Sequence, residues 1–347
     1  MTMVKTYAAL DERSALAPYE IKRRDPGPGD VQIRILFCGV CHSDLHTARN
    51  EWKNTLYPSV PGHEIVGRVV QVGKRVRRFK VGDLAGVGCF VDSCGKCPNC
   101  KANEEQFCQS EPTFTYNSIE KDGKAHTCGG YSSHITVRDK YVLKIKKGLP
   151  LARIAPLLCA GITTYSPLKR YGTKKGKKVG VVGLGGLGHM AVKIAKAMGA
   201  EVTVFSTSPG KEADAKKLGA KNFLLSSSPE NFTKMAGKLD LIIDTVSAHH
   251  DLSPYLSALK IDGTHVLVGA APEPSQVSAF ALIMGRKVLT GSLIGGIKET
   301  QEMLDFCARK KVFSDIELIP AAKINDAYER TIKGQVKYRF VIDAKTL

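Results

Sequence analysis

The stretch Lys178-Val-Gly-Val-Val-Gly183-Leu-Gly185-Gly-Leu-Gly188 decides how the second half of the chain folds. Lys178 to Gly183 is a short apolar run of strand type, and it enters directly a G-x-G-x-x-G turn. Behind the turn, Leu187, Ala191, Ile194, Ala195 and Met198 recur at helical spacing until Gly199, and Glu201 to Phe205 reads as a second strand. A lone glycine pattern means little, but between a strand and a helix it marks a dinucleotide-binding unit. Gly183 permits the tight turn, Gly185 lets the backbone approach a pyrophosphate at the helix N-terminus, and Gly188 allows close helix–strand packing. Further strand-like runs at Asp240–Asp244, His265–Gly269 and Lys287–Thr290 alternate with helical segments, which predicts a parallel, doubly wound sheet.

The end of the second strand distinguishes between nucleotides. An NAD-binding chain places Asp or Glu about 20 residues past the first glycine, to bond the ribose 2′-hydroxyl. Here that place holds Ser206-Thr207-Ser208, with Lys211 three residues on. Small hydroxyls beside a cation suit a 2′-phosphate, so the cofactor expected is NADP(H). Taken alone, Lys211 would be a solvated lysine at a helix start; the missing acid shifts the balance.

A chain of 347 residues exceeds one ordinary core, and two domains are expected. No run of about 18 apolar residues appears, so no membrane span is expected. Met1 to Leu10 lacks the apolar run of a secretory signal, which places the protein in the cytoplasm with reduced thiols. Net charge is +18, from 51 basic and 33 acidic residues. The clusters at Lys74–Lys80 and Lys174–Lys178 are short and flank strand-like runs, so they read as solvated loop charges and no nucleic-acid partner is expected.

Upstream of the glycine-rich turn the texture is β-rich, with a loop at Asp25–Asp30 and strands at Val31–Ile35 and Ile65–Val72, resembling a small distorted barrel. Within it, Gly39-Val-Cys41-His42-Ser43-Asp44-Leu-His46 offers a thiolate, two proton-transfer groups (Ser43 and His46) and a carboxylate, Asp44, able to hold a ligand imidazole from behind. Pro61-Gly62-His63-Glu64 offers a histidine on a tight turn, and Leu158-Cys159-Ala160-Gly161 a second thiolate. Two Cys and one His leave a fourth position for water or substrate, the arrangement of a catalytic zinc. Cys94, Cys97, Cys100 and Cys108 follow one another in steps of three, three and eight. One loop can wrap these four thiolates around a tetrahedral ion, and it has too little apolar content to hold itself by burial.

Together these motifs, with Thr163-Thr-Tyr165, Gly291–Thr300 and Tyr338–Asp343, resemble the zinc-containing medium-chain alcohol dehydrogenases, and among them the cinnamyl alcohol dehydrogenase branch. The resemblance covers nearly the whole chain. It implies an α/β fold with two parts: a GroES-like β-rich catalytic domain at 1–151 and 290–347, carrying a structural-zinc loop at 89–110, and a Rossmann NADP-binding domain at 152–289. The terminal strand Tyr338–Asp343 is expected to return to the first domain. By resemblance, Cys41, His63 and Cys159 bind the catalytic zinc, with Glu64 near enough to exchange onto it, and the four-Cys lobe binds the structural zinc. Ser43 would bond the substrate oxygen, and His46 would pass its proton to solvent through the cofactor ribose. His42 would contact the pyrophosphate and Thr163 would lie near the nicotinamide. Gly183, Gly185, Gly186, Leu187, Gly188, Ser206, Thr207, Ser208, Lys211, Val268 and Ser292 make up the remaining cofactor set. Trp52, Leu56, Cys89, Phe114 and Ile294 are substrate-pocket candidates; the plant lignin enzymes carry Trp where this chain has Phe114. A homodimer, formed through the strand near Lys287–Thr290, is likewise implied.

The activity implied is hydride exchange between NADPH and an aldehyde, aromatic or aliphatic, with zinc as Lewis acid. Three rivals are an NAD-preferring general alcohol dehydrogenase, a zinc-free quinone reductase and a basic zinc-ribbon protein that binds nucleic acid. The quinone reductase requires catalytic ligands to be missing, and the zinc ribbon leaves Gly183–Gly188 unexplained. Cys38, Cys128 and Cys307 read as packing residues, Met190 and Met198 as helix core, and His249 and His250 as loop histidines.

Overall fold

The computed structural model describes residues 2–271 and 273–347. The chain forms two compact units, Met1–Cys159 with Gly295–Leu347, and Ala160–Ile294. Both divisions fall later in the chain than the sequence places them. Leu151–Ile154 and Ala155–Leu158 pack on the strands of the first unit, which keeps Cys159 with that unit.

The second unit is built on six parallel strands in the order Asn222–Leu225, Glu201–Ser206, Lys178–Val182, Leu239–Asp244, Leu259–Leu267 and Val288–Gly291. The central strands are apolar almost without interruption, as strands covered on both faces must be. Phe205 stacks on Phe232 with ring centres 5.5 Å apart, and Tyr255 meets both edge-on. Strand order reverses direction between Lys178–Val182 and Leu239–Asp244, the switch point at which ligands bind in such sheets. The fifth strand begins at Leu259, ahead of the His265 start read from sequence. Its residues 260–262 are not buried and a register shift lies opposite them, so that part carries no apolar alternation.

The first unit holds a mixed sheet in the order Ile316–Pro320, Arg339–Asp343, Asp30–Gly39, Ile65–Val72, Leu84–Val87 and Leu143–Lys144, with His134–Arg138 also paired to the central strand. A hairpin of Thr2–Ala8 and Ala17–Arg23 stands beside it. The chain's last strand returns to this unit as expected, antiparallel to the central strand, with Val341 opposite Gly39 and Ile342 opposite Cys38. That register sets Arg339 beside the segment that carries Glu64.

Candidate active site and metal centres

Each catalytic-zinc ligand expected in the first unit sits where a regular element starts. Cys41 is the N-cap of helix His42–Ala48, a position that favours a thiolate. His63 and Glu64 immediately precede strand Ile65–Val72, and Cys159 precedes helix Ala160–Arg170. The turn before His63 requires glycine: Gly62 has φ +103°, and a Cβ there would lie 2.7 Å from the Tyr131 ring and 2.8 Å from the Cys38 sulfur. Segment 129–131 laces this turn in place, with Gly130 N–H donating to the Gly62 carbonyl at 2.8 Å and Tyr131 N–H to that of Pro61 at 3.0 Å.

The result is a buried cluster in which one donor atom each from Cys41, His63, Glu64 and Cys159 lies within 4.8 Å of all the others. Asp44 is fully buried behind it. Its carboxylate accepts from Cys41 N–H at 2.8 Å, Gly62 N–H at 3.1 Å and the Tyr131 hydroxyl at 3.0 Å, and stands 3.2 Å from His63 Nδ1. Asp44 therefore anchors two ligand segments at once and fixes the imidazole with Nδ1 protonated, leaving Nε2 as the coordinating atom. Burial opposes a charge on His63, but the Asp44 carboxylate outweighs it and raises the histidine well above its ordinary range. A hydrogen bond shared with Cys159 holds the Cys41 thiol well below the thiol range, and the same bond pushes Cys159 well above it. Glu64 pairs with the buried guanidinium of Arg339, yet its Oε2 is buried without a hydrogen-bond partner, which costs about 1–3 kcal/mol if left so. Two thiols, two carboxylates and an imidazole face a single guanidinium here. This donor set, with an orphaned carboxylate oxygen, fits a divalent soft-to-borderline cation such as zinc.

The second cluster joins Cys94, Cys97, Cys100 and Cys108, again with all sulfurs within 4.8 Å. Backbone N–H groups already point at them: Cys97 N–H to the Cys94 sulfur at 3.3 Å, Cys94 N–H to Cys108 at 3.3 Å and Cys100 N–H to Cys97 at 3.5 Å. The Lys96 and Cys97 backbone donors bring the Cys94 thiol down to about 6, while burial takes Cys100 up to about 11. Four sulfurs with no place left for water make a structural site.

Other residues named from sequence lie as follows. Ser43 Oγ is 3.8 Å from the Cys41 sulfur. His46 is half-buried, bonds Glu51 through Nδ1, and has its ring centre 5.2 Å from that of Trp52, which is exposed. His42 is exposed on the same helix. Cys89 lies 3.7 Å from the Leu158 carbonyl, and a hydrogen bond to Cys159 lowers its thiol, so it borders the catalytic cluster. Leu56 is half-buried and bonds Asn117 through its N–H, and Phe114 is largely exposed. In the second unit, Thr163 is buried within helix Ala160–Arg170, Ile294 is buried, and Val268 and Ser292 follow the fifth and sixth strands. Gly183 has φ +85°; a Cβ on Gly188 would lie 2.1 Å from the Gly183 carbonyl oxygen, whereas one on Gly185 would meet nothing within 4 Å. The turn thus closes tightly on itself while leaving an open hollow over Gly185, as a pyrophosphate cradle requires, with Gly186 and Leu187 only half-buried at its rim. Ser206 is buried and accepts from Ser208 N–H at 3.2 Å; Thr207 and Ser208 are exposed, and Lys211 precedes the next helix. No acid stands in this group.

Residues 27–147 match the alcohol dehydrogenase GroES-like domain, and residues 186–309 match the zinc-binding dehydrogenase family. NADP-dependent alcohol dehydrogenase C 1 of Mycolicibacterium smegmatis is 54% identical across all of this chain and 99% of its own length. This chain is a zinc-binding medium-chain alcohol dehydrogenase. Aldehyde reductase YahK of Escherichia coli is 53% identical to this dehydrogenase over 99% of both chains. The cinnamyl alcohol dehydrogenase SbCAD4 of Sorghum bicolor superimposes with a TM-score of 0.97 at 46% identity, over 99% of this dehydrogenase and 98% of that chain. Both the β-rich unit and the six-stranded parallel unit therefore agree with the fold expected from sequence, and the side chains expected to hold the two zinc ions come together in two clusters. Sequence reading missed the supports: Tyr131 on Asp44, Arg339 on Glu64, and Ser93, whose hydroxyl lies 3.2 Å from the Cys100 sulfur and 2.8 Å from the Tyr141 hydroxyl. None of them has a motif of its own; Tyr131 and Arg339 arrive through long-range packing, and Ser93 is an ordinary residue beside Cys94.

Proposed function

We propose that this dehydrogenase interconverts primary alcohols and aldehydes with NADP(H), in the cell chiefly as an aldehyde reductase, on aromatic substrates of the benzyl and cinnamyl type and on some aliphatic ones. The observation that carries the reading is the buried quartet of Cys41, His63, Glu64 and Cys159 in a chain half identical, end to end, to an NADP-dependent alcohol dehydrogenase. Cys41, His63 and Cys159 hold the catalytic zinc, with Glu64 able to exchange onto it. Zinc supplies Lewis acidity toward the substrate oxygen. The nicotinamide supplies or accepts the hydride, and the protein's part is to place the two.

The remaining roles belong to the chain itself. Ser43, uncharged and next to Cys41, gives its hydroxyl proton to the substrate oxygen in reduction. His46, half-exposed and bonded to Glu51, resupplies that proton from solvent through the cofactor ribose. Asp44 keeps the His63 imidazole in its coordinating tautomer. Trp52, Leu56, Cys89, Phe114 and Ile294 line the substrate. Gly183, Gly185, Gly186, Leu187 and Gly188 cradle the pyrophosphate with His42, while Thr163, Val268 and Ser292 face the nicotinamide half. Ser206, Thr207, Ser208 and Lys211 receive the 2′-phosphate, a group that an aspartate in their place would repel.

The sheet of the second unit ends on Val288–Gly291, and beside that edge Phe280, Ile283 and Met284 are 72%, 66% and 79% exposed. An open edge with an apolar flank favours pairing with a second copy, so we assign a homodimer. Ten free cysteines, nine of them in or near the two clusters or buried, call for a reducing compartment, which is why we assign the enzyme to the cytoplasm; among the described residues no helix is long and apolar enough to cross a membrane.

NADPH oxidation against a panel of aromatic and aliphatic aldehydes, with NADH as control, tests the reading. Turnover with NADPH well above that with NADH is expected. Comparable rates with NADH would overturn the nucleotide assignment in favour of an NAD-preferring enzyme, and NADPH left unconsumed across the panel would overturn the activity.

A further inference from the structure

The loop that follows strand Leu239–Asp244 is tied down by a second buried carboxylate with two histidines, none of them used above. Asp244 is fully buried at the strand's end. Its Oδ2 accepts from His250 Nε2 at 2.8 Å and from His265 Nε2 at 3.0 Å, and its Oδ1 accepts from Val246 N–H at 3.1 Å. His250 also points Nδ1 at the Ala248 carbonyl, 2.9 Å away. A carboxylate and a carbonyl can only accept, so both ring nitrogens of His250 must donate, and only the imidazolium does that. His265 differs. It is fully buried and bonded only through Nε2, its Nδ1 having no hydrogen-bond partner among the described residues.

The loop that His250 ties to Asp244 and Ala248 begins beside the glycine-rich turn. The loop leaves the sheet at the switch point, where Thr245 N–H and Oγ1 both donate to the Val182 carbonyl, at 3.0 and 2.7 Å. A Cβ on Gly183 would lie 3.0 Å from both Thr245 Oγ1 and Val246 Cγ2, and one on Gly269 would lie 2.3 Å from the Val246 carbonyl oxygen. The Asp244 carbonyl in turn accepts from Val268 and Gly269 N–H at 2.9 and 3.1 Å. Thr245 and Val246, the start of the loop that His250 closes, therefore lie against the glycine-rich turn and against the strand end that carries Val268.

We propose that His250 is a positioning residue for NADP(H): its imidazolium latches the loop of residues 245–250 in the binding-competent arrangement, and the latch opens as the ring loses its proton. This rests on the NADP(H) reading above. On deprotonation one of the two bonds must break, releasing either the Ala248 carbonyl or the Asp244 carboxylate. The groups facing His250 are Asp244 from the strand, Asp251 and His249 on its own loop, the Tyr255 ring edge 5.7 Å away on helix Ser253–Ala258, and His265 from the next strand, which shares its carboxylate. The hydrogen bond to Asp244 raises the His250 pKa above the ordinary histidine value of 6.5. A raised value means that the latch is complete below about 6.5 and is lost as pH rises through the folded-state value above it.

Direct titration of NADPH by fluorescence tests this, on wild type and on His250→Gln, between about pH 6 and pH 9. Wild type should bind tightest at the acid end and lose about tenfold across the range, whereas His250→Gln should bind at the weak level throughout, losing the part of the pH dependence that wild type adds. Superimposable profiles of the two proteins would overturn the proposal. Wild type that failed to bind NADPH at every pH would overturn the cofactor reading first, a distinct result. Should the variant not fold, histidine ¹⁵N shifts of the wild-type protein decide instead: His250 protonated on both nitrogens near neutral pH supports the latch, and a single protonated nitrogen refutes it.

Discussion

At the residue scale, the carboxylate of Asp44 gathers the Cys41 amide, the Gly62 amide, the Tyr131 hydroxyl and the His63 imidazole around one buried point. Two ligands that are far apart in sequence are thereby oriented by a residue that need not touch the ion. Asp44→Asn keeps the shape but removes the charge that raises His63 and can turn an N–H donor toward it. Catalytic-site zinc affinity is expected to fall by about 10–100-fold, read by competition with a chromophoric chelator, with the four-Cys site still filled. Unchanged affinity would show that Asp44 is only a packing residue. The role of Asp44 was legible because it lies three residues from Cys41, inside the same short motif. Tyr131 and Arg339 were not: the first reaches Asp44 through a segment laced across Pro61–Gly62, the second through the register of the last strand on the central one. Similarly, His250 read as a loop histidine because nothing local announces that Asp244 lies beneath it.

At the element scale, the strand–turn–helix of Lys178–Ala197 was legible because its determinants are local: an apolar run, glycines at fixed offsets and one apolar helical face. Met190 is fully buried on that face as read, whereas Met198, at its C-cap, is only half-buried. The start of strand Leu259–Leu267 was not legible, since exposed residues at a register shift show no period. The edge strand Val288–Gly291 and the apolar face of helix Ala279–Ile283 support the proposed dimer. Met284→Asp, placing a charge on that flank, should convert a two-chain mass into a one-chain mass by light scattering, without loss of either zinc. Wild type of one-chain mass at micromolar concentration would remove the dimer.

At the scale of the whole molecule, chemistry is divided between the two units. The three proposed catalytic-zinc ligands, Glu64 and the proposed proton relay Ser43–His46 belong to Met1–Cys159, and the glycine-rich turn and the serines proposed to receive the 2′-phosphate belong to Ala160–Ile294. The chain passes from one unit to the other at Cys159, so the last ligand is also the boundary residue. Sequence reading found both halves because each rests on short motifs, and it placed the division early because Leu151–Leu158 looks like the start of a helical layer until its packing on the first unit's strands is seen. The most direct measurement is the initial rate of NADPH oxidation with an aromatic aldehyde for wild type and for His63→Ala, with zinc counted in both. Wild type should carry two zinc ions per chain and consume NADPH; the variant should keep the four-Cys zinc, lose the other, and fall by about a thousandfold or more in rate, a loss of about 4 kcal/mol of transition-state stabilisation. A variant that retained the full rate with one zinc would contradict zinc-dependent carbonyl reduction at Cys41, His63 and Cys159.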